Sequence, residues 1–97
     1  MNNGMVHMLA GQFAERVSRE AGKDTAKRVE LVYRIALSRP PTDDERKLGV
    51  ETIDELTAKW SKQLPKQGTT NIDVAAMKAL TTYCHAIVNS AAFLYVD

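Results

Sequence analysis

Two adjacent prolines, followed at once by a helix-start pattern, divide this chain near its middle. Pro40 and Pro41 cannot continue a helix, because proline lacks the amide hydrogen and restricts the residue before it. The run Thr42-Asp43-Asp44-Glu45 fits a capping box, in which threonine and glutamate each accept a hydrogen bond from the other's amide. The acids also suit the positive end of the helix dipole, so this position explains them without a catalytic role. We therefore expect one helix before the prolines and another after them.

Apolar residues recur at helical spacing in four segments, and no segment shows the alternation of a strand bounded by hairpin turns. The spacing predicts helices over about 4–21, 25–38, 42–60 and 71–89. Gly22 suits the position just past the first helix, and Asp24 suits the N-cap of the second. Pro65 and Gly68 punctuate a polar loop before the fourth helix.

Each predicted helix has an apolar face that we expect to form the core. Gly49 weakens the third helix by up to about 1 kcal/mol relative to alanine, unless a neighbouring helix packs closely there. Leu31 and Ile35 widen the apolar arc of the second helix, which predicts packing on more than one side. The four faces comprise Met5, Met8, Leu9, Phe13 and Val17; Val29, Val32, Tyr33, Ala36 and Leu37; Leu48, Thr52, Leu56 and Trp60, with Ile53 beside them; and Val74, Met77, Leu80, Thr81, Cys84, Ile87 and Val88.

The length of 97 residues and an apolar share of 44 % fit one globular domain, residues 1–97. We predict an all-α fold, a compact bundle of about four helices with a short apolar C-terminal extension over 90–97. The polar segment before the fourth helix leaves the order of packing open. The sequence also leaves the oligomeric state open.

Charge and cysteine content exclude several classes of protein. Thirteen basic residues against twelve acidic ones give a net charge of +1, which is not the basic footprint of a nucleic-acid module. No apolar run approaches the roughly 20 residues of a membrane span, so we expect no direct membrane insertion. Cys84 is the single cysteine, so no intrachain disulfide can form.

No catalytic, metal-binding or cofactor-binding residue is predicted. The chain has no phosphate-binding loop and no nucleophile elbow. His7 and His85 have no acids at metal-ligand spacing. The pair Cys84-His85 lacks the first cysteine of the haem-attachment pattern, and we expect Cys84 to be a buried structural residue.

Five residues form the candidate interaction surface. Tyr33, Arg34 and Arg39 lie near the end of the second helix, where they could bind an anion. The simpler interpretation, which we favour, is that the two arginines interact with the negative C-terminal end of that helix. Phe93 and Tyr95 belong to the apolar C-terminal tail, which we expect to pack on this domain or, as the alternative, to dock on another part of a larger protein or on a second chain.

Three stretches, 1–6, 33–45 and 84–97, together carry a family resemblance. The most specific is Tyr33-Arg34-Ile35-Ala36-Leu37-Ser38-Arg39-Pro40-Pro41-Thr42-Asp43-Asp44-Glu45. The chain resembles the C-terminal part of the planctomycete-specific domain of unknown function that occurs in large proteins with cytochrome c-like modules upstream. The resemblance implies a C-terminal fragment of a larger, extracytoplasmic or envelope-associated protein. It supplies no catalytic residues, and haem chemistry would belong to the separate upstream module.

Composition and resemblance together predict a non-catalytic helical module with a structural or protein-interaction role, whose partners are upstream domains of its parent protein. The alternative is that Tyr33, Arg34 or Arg39 contributes to an enzyme site that those upstream domains complete.

Overall fold

The structure is a computed structural model that describes residues 3–63 and 70–94, without the side chains of residues 3, 6, 7, 70–72 and 91–94. These residues form four helices and no strand, which confirms the all-α prediction. The helices are α1 (Asn3–Ala21), α2 (Thr25–Leu37), α3 (Asp43–Gln63) and α4 (Thr70–Leu94).

Local signals set the helix ends between α1 and α2 as predicted. Gly22 follows α1 with a φ of 75°, the left-handed conformation that glycine adopts most easily. The Asp24 side chain accepts a hydrogen bond of 3.2 Å from the Lys27 amide at the start of α2. The two helices are therefore joined by a tight, capped turn.

The turn between α2 and α3 contains the predicted capping box. The Glu45 amide donates to Thr42 Oγ1 at 3.1 Å, and the Thr42 amide donates to Glu45 Oε1 at 2.8 Å. However, α2 ends at Leu37, before it reaches Pro40, so the prolines are not what terminates this helix. Ser38 adopts a φ of 57°, and its amide donates to the Arg34 carbonyl at 3.1 Å, so a left-handed cap terminates the helix.

The helix α4 is the centre of the bundle, because its contacts with α3 and α1 are the most extensive between any two helices. Within the described residues α1 and α3 flank α4 without contacting each other, and α2 packs against α1, α3 and α4. Lys23 at the end of α1 lies 3.8 Å from Asp73 at the start of α4, so these two helices run antiparallel. The radius of gyration of 13.4 Å is near the roughly 12.5 Å expected for a compact domain of this length.

The core is built largely from small side chains. Four fully buried alanines lie on the two antiparallel helices, two on α1 and two on α4. Larger buried side chains come mainly from α2 and α4, in agreement with the predicted face of α2. The predicted face of α4 was partly wrong: Leu80 and Cys84 are buried, but Val74 is 43 % exposed. The buried apolar residues are Ala10, Ala14, Val17, Val29, Val32, Tyr33, Ile53, Ala75, Ala79, Leu80, Tyr83 and Cys84.

The predicted faces of α1 and α3 were partly wrong. Met5, Met8 and Leu9 are 58 %, 55 % and 47 % exposed, because α1 buries the side that carries its alanines. At about 100° per residue, these three positions lie on roughly the opposite side of the helix from the buried alanines. On α3 the buried positions are Gly49 and Ile53, and Leu48 is 65 % exposed.

The predicted C-terminal extension is shorter than expected. The backbone continues as α4 through Leu94, so residues 90–94 prolong the helix rather than follow it. Tyr95 lies outside the described residues, and so does the side chain of Phe93.

Candidate functional site

Two of the predicted interaction residues meet at the turn between α2 and α3. The Arg39 guanidinium lies 5.5 Å from the centre of the Tyr33 ring. It also donates to both carboxylate oxygens of Glu45, with Nη1–Oε1 and Nη2–Oε2 distances of 2.7 and 2.9 Å. Arg39 thus connects the end of α2 to the first turn of α3.

The ion pair at this turn lowers the pKa of Glu45 to about 2, mainly through the hydrogen bond from Arg39 and then the bond from the Thr42 amide. Tyr33 is buried beneath the guanidinium. The pKa of the buried Tyr83 hydroxyl is raised, first by desolvation and then by the nearby Tyr33. These groups stabilise the turn, and their arrangement is that of a structural clamp.

Arg34 lies apart from this clamp. It pairs loosely with Glu30 at 3.8 Å, one helical turn earlier on α2. Together with Glu20 and Lys27 it lines a shallow groove of about 330 Å³ between α1 and α2. The structure therefore brings Tyr33 and Arg39 together and places Arg34 in a different groove.

Cys84 is fully buried, which confirms the prediction that this residue is buried. Desolvation raises the pKa of its thiol to about 12, so the side chain is neutral at physiological pH.

The outer side of α1 carries three exposed apolar side chains that we call the α1 patch: Met5, Met8 and Leu9. Their i, i+3, i+4 spacing makes them neighbours on one helix face. Further along the helix, the exposed residues are polar or charged: Gln12, Glu15, Arg16, Arg19 and Glu20. The apolar surface is thus confined to the first two turns of α1.

A cleft of about 640 Å³ opens where α1 and α3 fail to meet. Its floor includes the apolar side chains of Ile53, Ala76 and Met77. Lys23, Asp54 and Asp73 contribute charged groups to its wall. The volume is within the range of roughly 300–1,000 Å³ that is usual for small-molecule sites.

One cation in the wall of this cleft is buried. Arg28 is only 9 % exposed, and its Nε donates to the Gly22 carbonyl at 2.6 Å while Nη2 donates to Ser18 Oγ at 3.2 Å. Both acceptors are uncharged. In the described part of the chain no carboxylate lies within ion-pair distance of this guanidinium.

Sequence reasoning missed both the α1 patch and Arg28. The burial of Arg28 could have been predicted from its spacing. Arg28 precedes Val32 by four residues and Val29 by one, so it lies at the edge of the apolar face of α2. A cation at such a position must find acceptors inside the fold.

Among the described side chains, no three histidine, cysteine, aspartate or glutamate residues are grouped as they would be to hold a metal ion. Within the described residues, no helix combines the length and the apolar character needed to cross a membrane. The chain matches no protein-family model, and no curated protein or solved structure was found to be similar to it.

Proposed function

We propose that this chain is a non-catalytic helical interaction module at the C-terminus of a larger planctomycete cytochrome-associated protein, and that it docks on upstream domains of that parent. The observation that carries the proposal is the α1 patch. The place in a larger protein rests on the resemblance of residues 33–45 and 84–97 to the planctomycete-specific domain.

The chemistry of the α1 patch suits a protein partner. An i, i+3, i+4 set of apolar side chains is the pattern with which a helix binds an apolar groove. Methionine is common on such surfaces, because its unbranched side chain adapts to the shape of a partner. Docking would remove Met5, Met8 and Leu9 from water, and the charged residues that follow on α1 would stay at the rim.

An upstream domain is the occupant that the position of the patch favours. Met5 to Leu9 span about 6 Å of helix axis at the N-terminal end of α1. In the proposed parent, the preceding polypeptide would enter the domain at this end. A short tether raises the effective concentration of a linked partner to about the millimolar range, so a small patch is sufficient.

The test is to measure the affinity of this chain for the separately prepared remainder of the parent protein by titration calorimetry. Leu9→Glu places a charge in the patch, and we expect it to weaken binding by roughly tenfold or more. Leu48→Glu is the matched control, because Leu48 is also an exposed apolar residue but lies on α3. We expect this control to bind like the unmodified chain.

Both variants change exposed positions, so we expect each to alter the free energy of unfolding by no more than about 0.5 kcal/mol. Equal loss of binding in both variants would contradict the proposal. A molecular mass that rises with concentration, and that no longer does so in Leu9→Glu, would show that the chain self-associates through the α1 patch. The partner of the patch would then be a second copy of this chain and not an upstream domain.

A further inference from the structure

We propose that the cleft between α1 and α3 binds a small amphipathic carboxylic acid, with Arg28 as the donor to its carboxylate. This inference is independent of the proposed docking function, because it concerns a different surface. It rests on the burial and the hydrogen bonds of the Arg28 guanidinium and on the charged residues that line the same cleft.

We infer that the Nη1 group of Arg28 faces the cleft. Of the five N–H donors of a guanidinium, the one on Nε bonds to Gly22 and one of the two on Nη2 bonds to Ser18, whereas Nη1 donates to no described residue. No buried side-chain nitrogen or oxygen in the described structure lacks a hydrogen-bond partner. Nη1 is therefore not sealed in the interior, and the space that Arg28 lines is the cleft.

An anion in the cleft would give the Arg28 guanidinium a negatively charged hydrogen-bond acceptor. Arg28 is more than nine-tenths buried, and its two acceptors are neutral. A buried guanidinium that has no described carboxylate within ion-pair distance is costly, and a charge-assisted hydrogen bond to a carboxylate would offset part of that cost. Lys23 at the rim adds a second, exposed cation, whose only pairing among the described residues is the 3.8 Å contact with Asp73.

The remaining groups select the class of anion. Asp54 and Asp73 also line the cleft, so its wall carries no net positive charge, and a singly charged carboxylate bonded directly to Arg28 is favoured over a doubly charged phosphate. Ile53, Ala76 and Met77 provide an apolar floor for the body of the ligand. The combination fits one carboxylate attached to a short apolar chain.

The experiment is an NMR titration of the ¹⁵N-labelled chain with hexanoate, and separately with hexanol and hexyl phosphate. We expect hexanoate to shift the Arg28 side-chain Nε–H signal and the amides of Ile53 and Ala76 saturably, with a Kd on the order of 1 mM. Hexanol, which has the same chain without the charge, should bind roughly tenfold more weakly. Hexyl phosphate should also bind more weakly than hexanoate. Equal affinity for hexanoate and hexanol, or no saturation at tens of millimolar, would overturn the proposal.

Two variants refine the test. Arg28→Met should abolish the preference for hexanoate over hexanol, and Lys47→Met, which removes an exposed lysine outside the cleft, should preserve it. If Arg28→Met does not fold, the comparison of ligands on the unmodified chain still decides the question. The Leu9→Glu variant should bind hexanoate normally, so a failure of the docking proposal is distinguishable from a failure of this one.

Discussion

Gly49 lies at a close approach between α3 and two neighbouring helices. A Cβ atom at this position would lie 2.7 Å from Tyr83 Oη and 2.9 Å from Val29 Cγ1. The helix-propensity gain of alanine is about 1 kcal/mol, but overpacking of a buried contact costs about 1–3 kcal/mol. We therefore expect Gly49→Ala to lower the free energy of unfolding by about 1 kcal/mol, measured by urea denaturation.

Gly11 provides the matched control for this substitution. It also lies inside a helix, but a Cβ atom there would have no neighbour within 4 Å. Gly11→Ala should raise the free energy of unfolding by about 0.5–1 kcal/mol through helix propensity alone. A stabilising effect at both glycines would show that α3 does not pack this closely.

Glu45 should make stability dependent on pH in the acid range. Its pKa lies near 4.5 in the absence of partners and falls to about 2 in the folded chain, mainly because of Arg39. The folded state thus takes up this proton less readily than the unfolded state, so the stabilisation is complete above about pH 4.5 and is lost as the pH falls toward 2. Acid unfolding curves should show a smaller slope for Glu45→Gln in this window. Identical slopes would mean that the Arg39 pair does not form.

Cys84 should be inert in the folded chain, because its thiol is buried and its pKa is raised to about 12. Iodoacetamide should label it only as fast as the chain unfolds, and stabilising or destabilising variants should change the labelling rate accordingly. Labelling of the native chain at the rate of a free thiol would contradict the burial.

At the scale of the helix, the C-terminal end of α2 carries local strain. Ser38 holds a φ of 57°, a conformation that disfavours residues with a Cβ. Ser38→Gly should therefore stabilise the chain by about 0.5–1 kcal/mol, observed as a higher Tm in thermal unfolding. No gain in Tm would indicate that the side chain of Ser38 offsets its own strain.

Helix ends were more predictable than helix faces, and the reason is the range of the interactions involved. The capping box at Thr42, the cap at Asp24 and the turn at Gly22 involve residues within four positions of one another, so the sequence displays them directly. The buried side of α1 depends on which side α4 covers. Met5 and Met8 are more apolar than Ala10 and Ala14, yet the alanines are buried, because small side chains allow the two helices to approach closely.

At the scale of the molecule, the candidate sites arise from helix packing that the sequence does not show. The cleft exists because α1 and α3 both pack on α4 without meeting, and Arg28 reaches it from the start of α2. The α1 patch exists because α4 covers only one side of α1. The sequence therefore predicted the class of fold, but not the pairing of Arg39 with Glu45 or the two surfaces that the fold leaves open.

The most direct test of the interaction function is an NMR titration of the ¹⁵N-labelled chain with the unlabelled remainder of its parent. The proposal predicts saturable shifts that cluster at Met5, Met8 and Leu9 and are absent in the Leu9→Glu variant. Shifts confined to other faces of the bundle, or no shifts at high concentration, would contradict docking through the α1 patch.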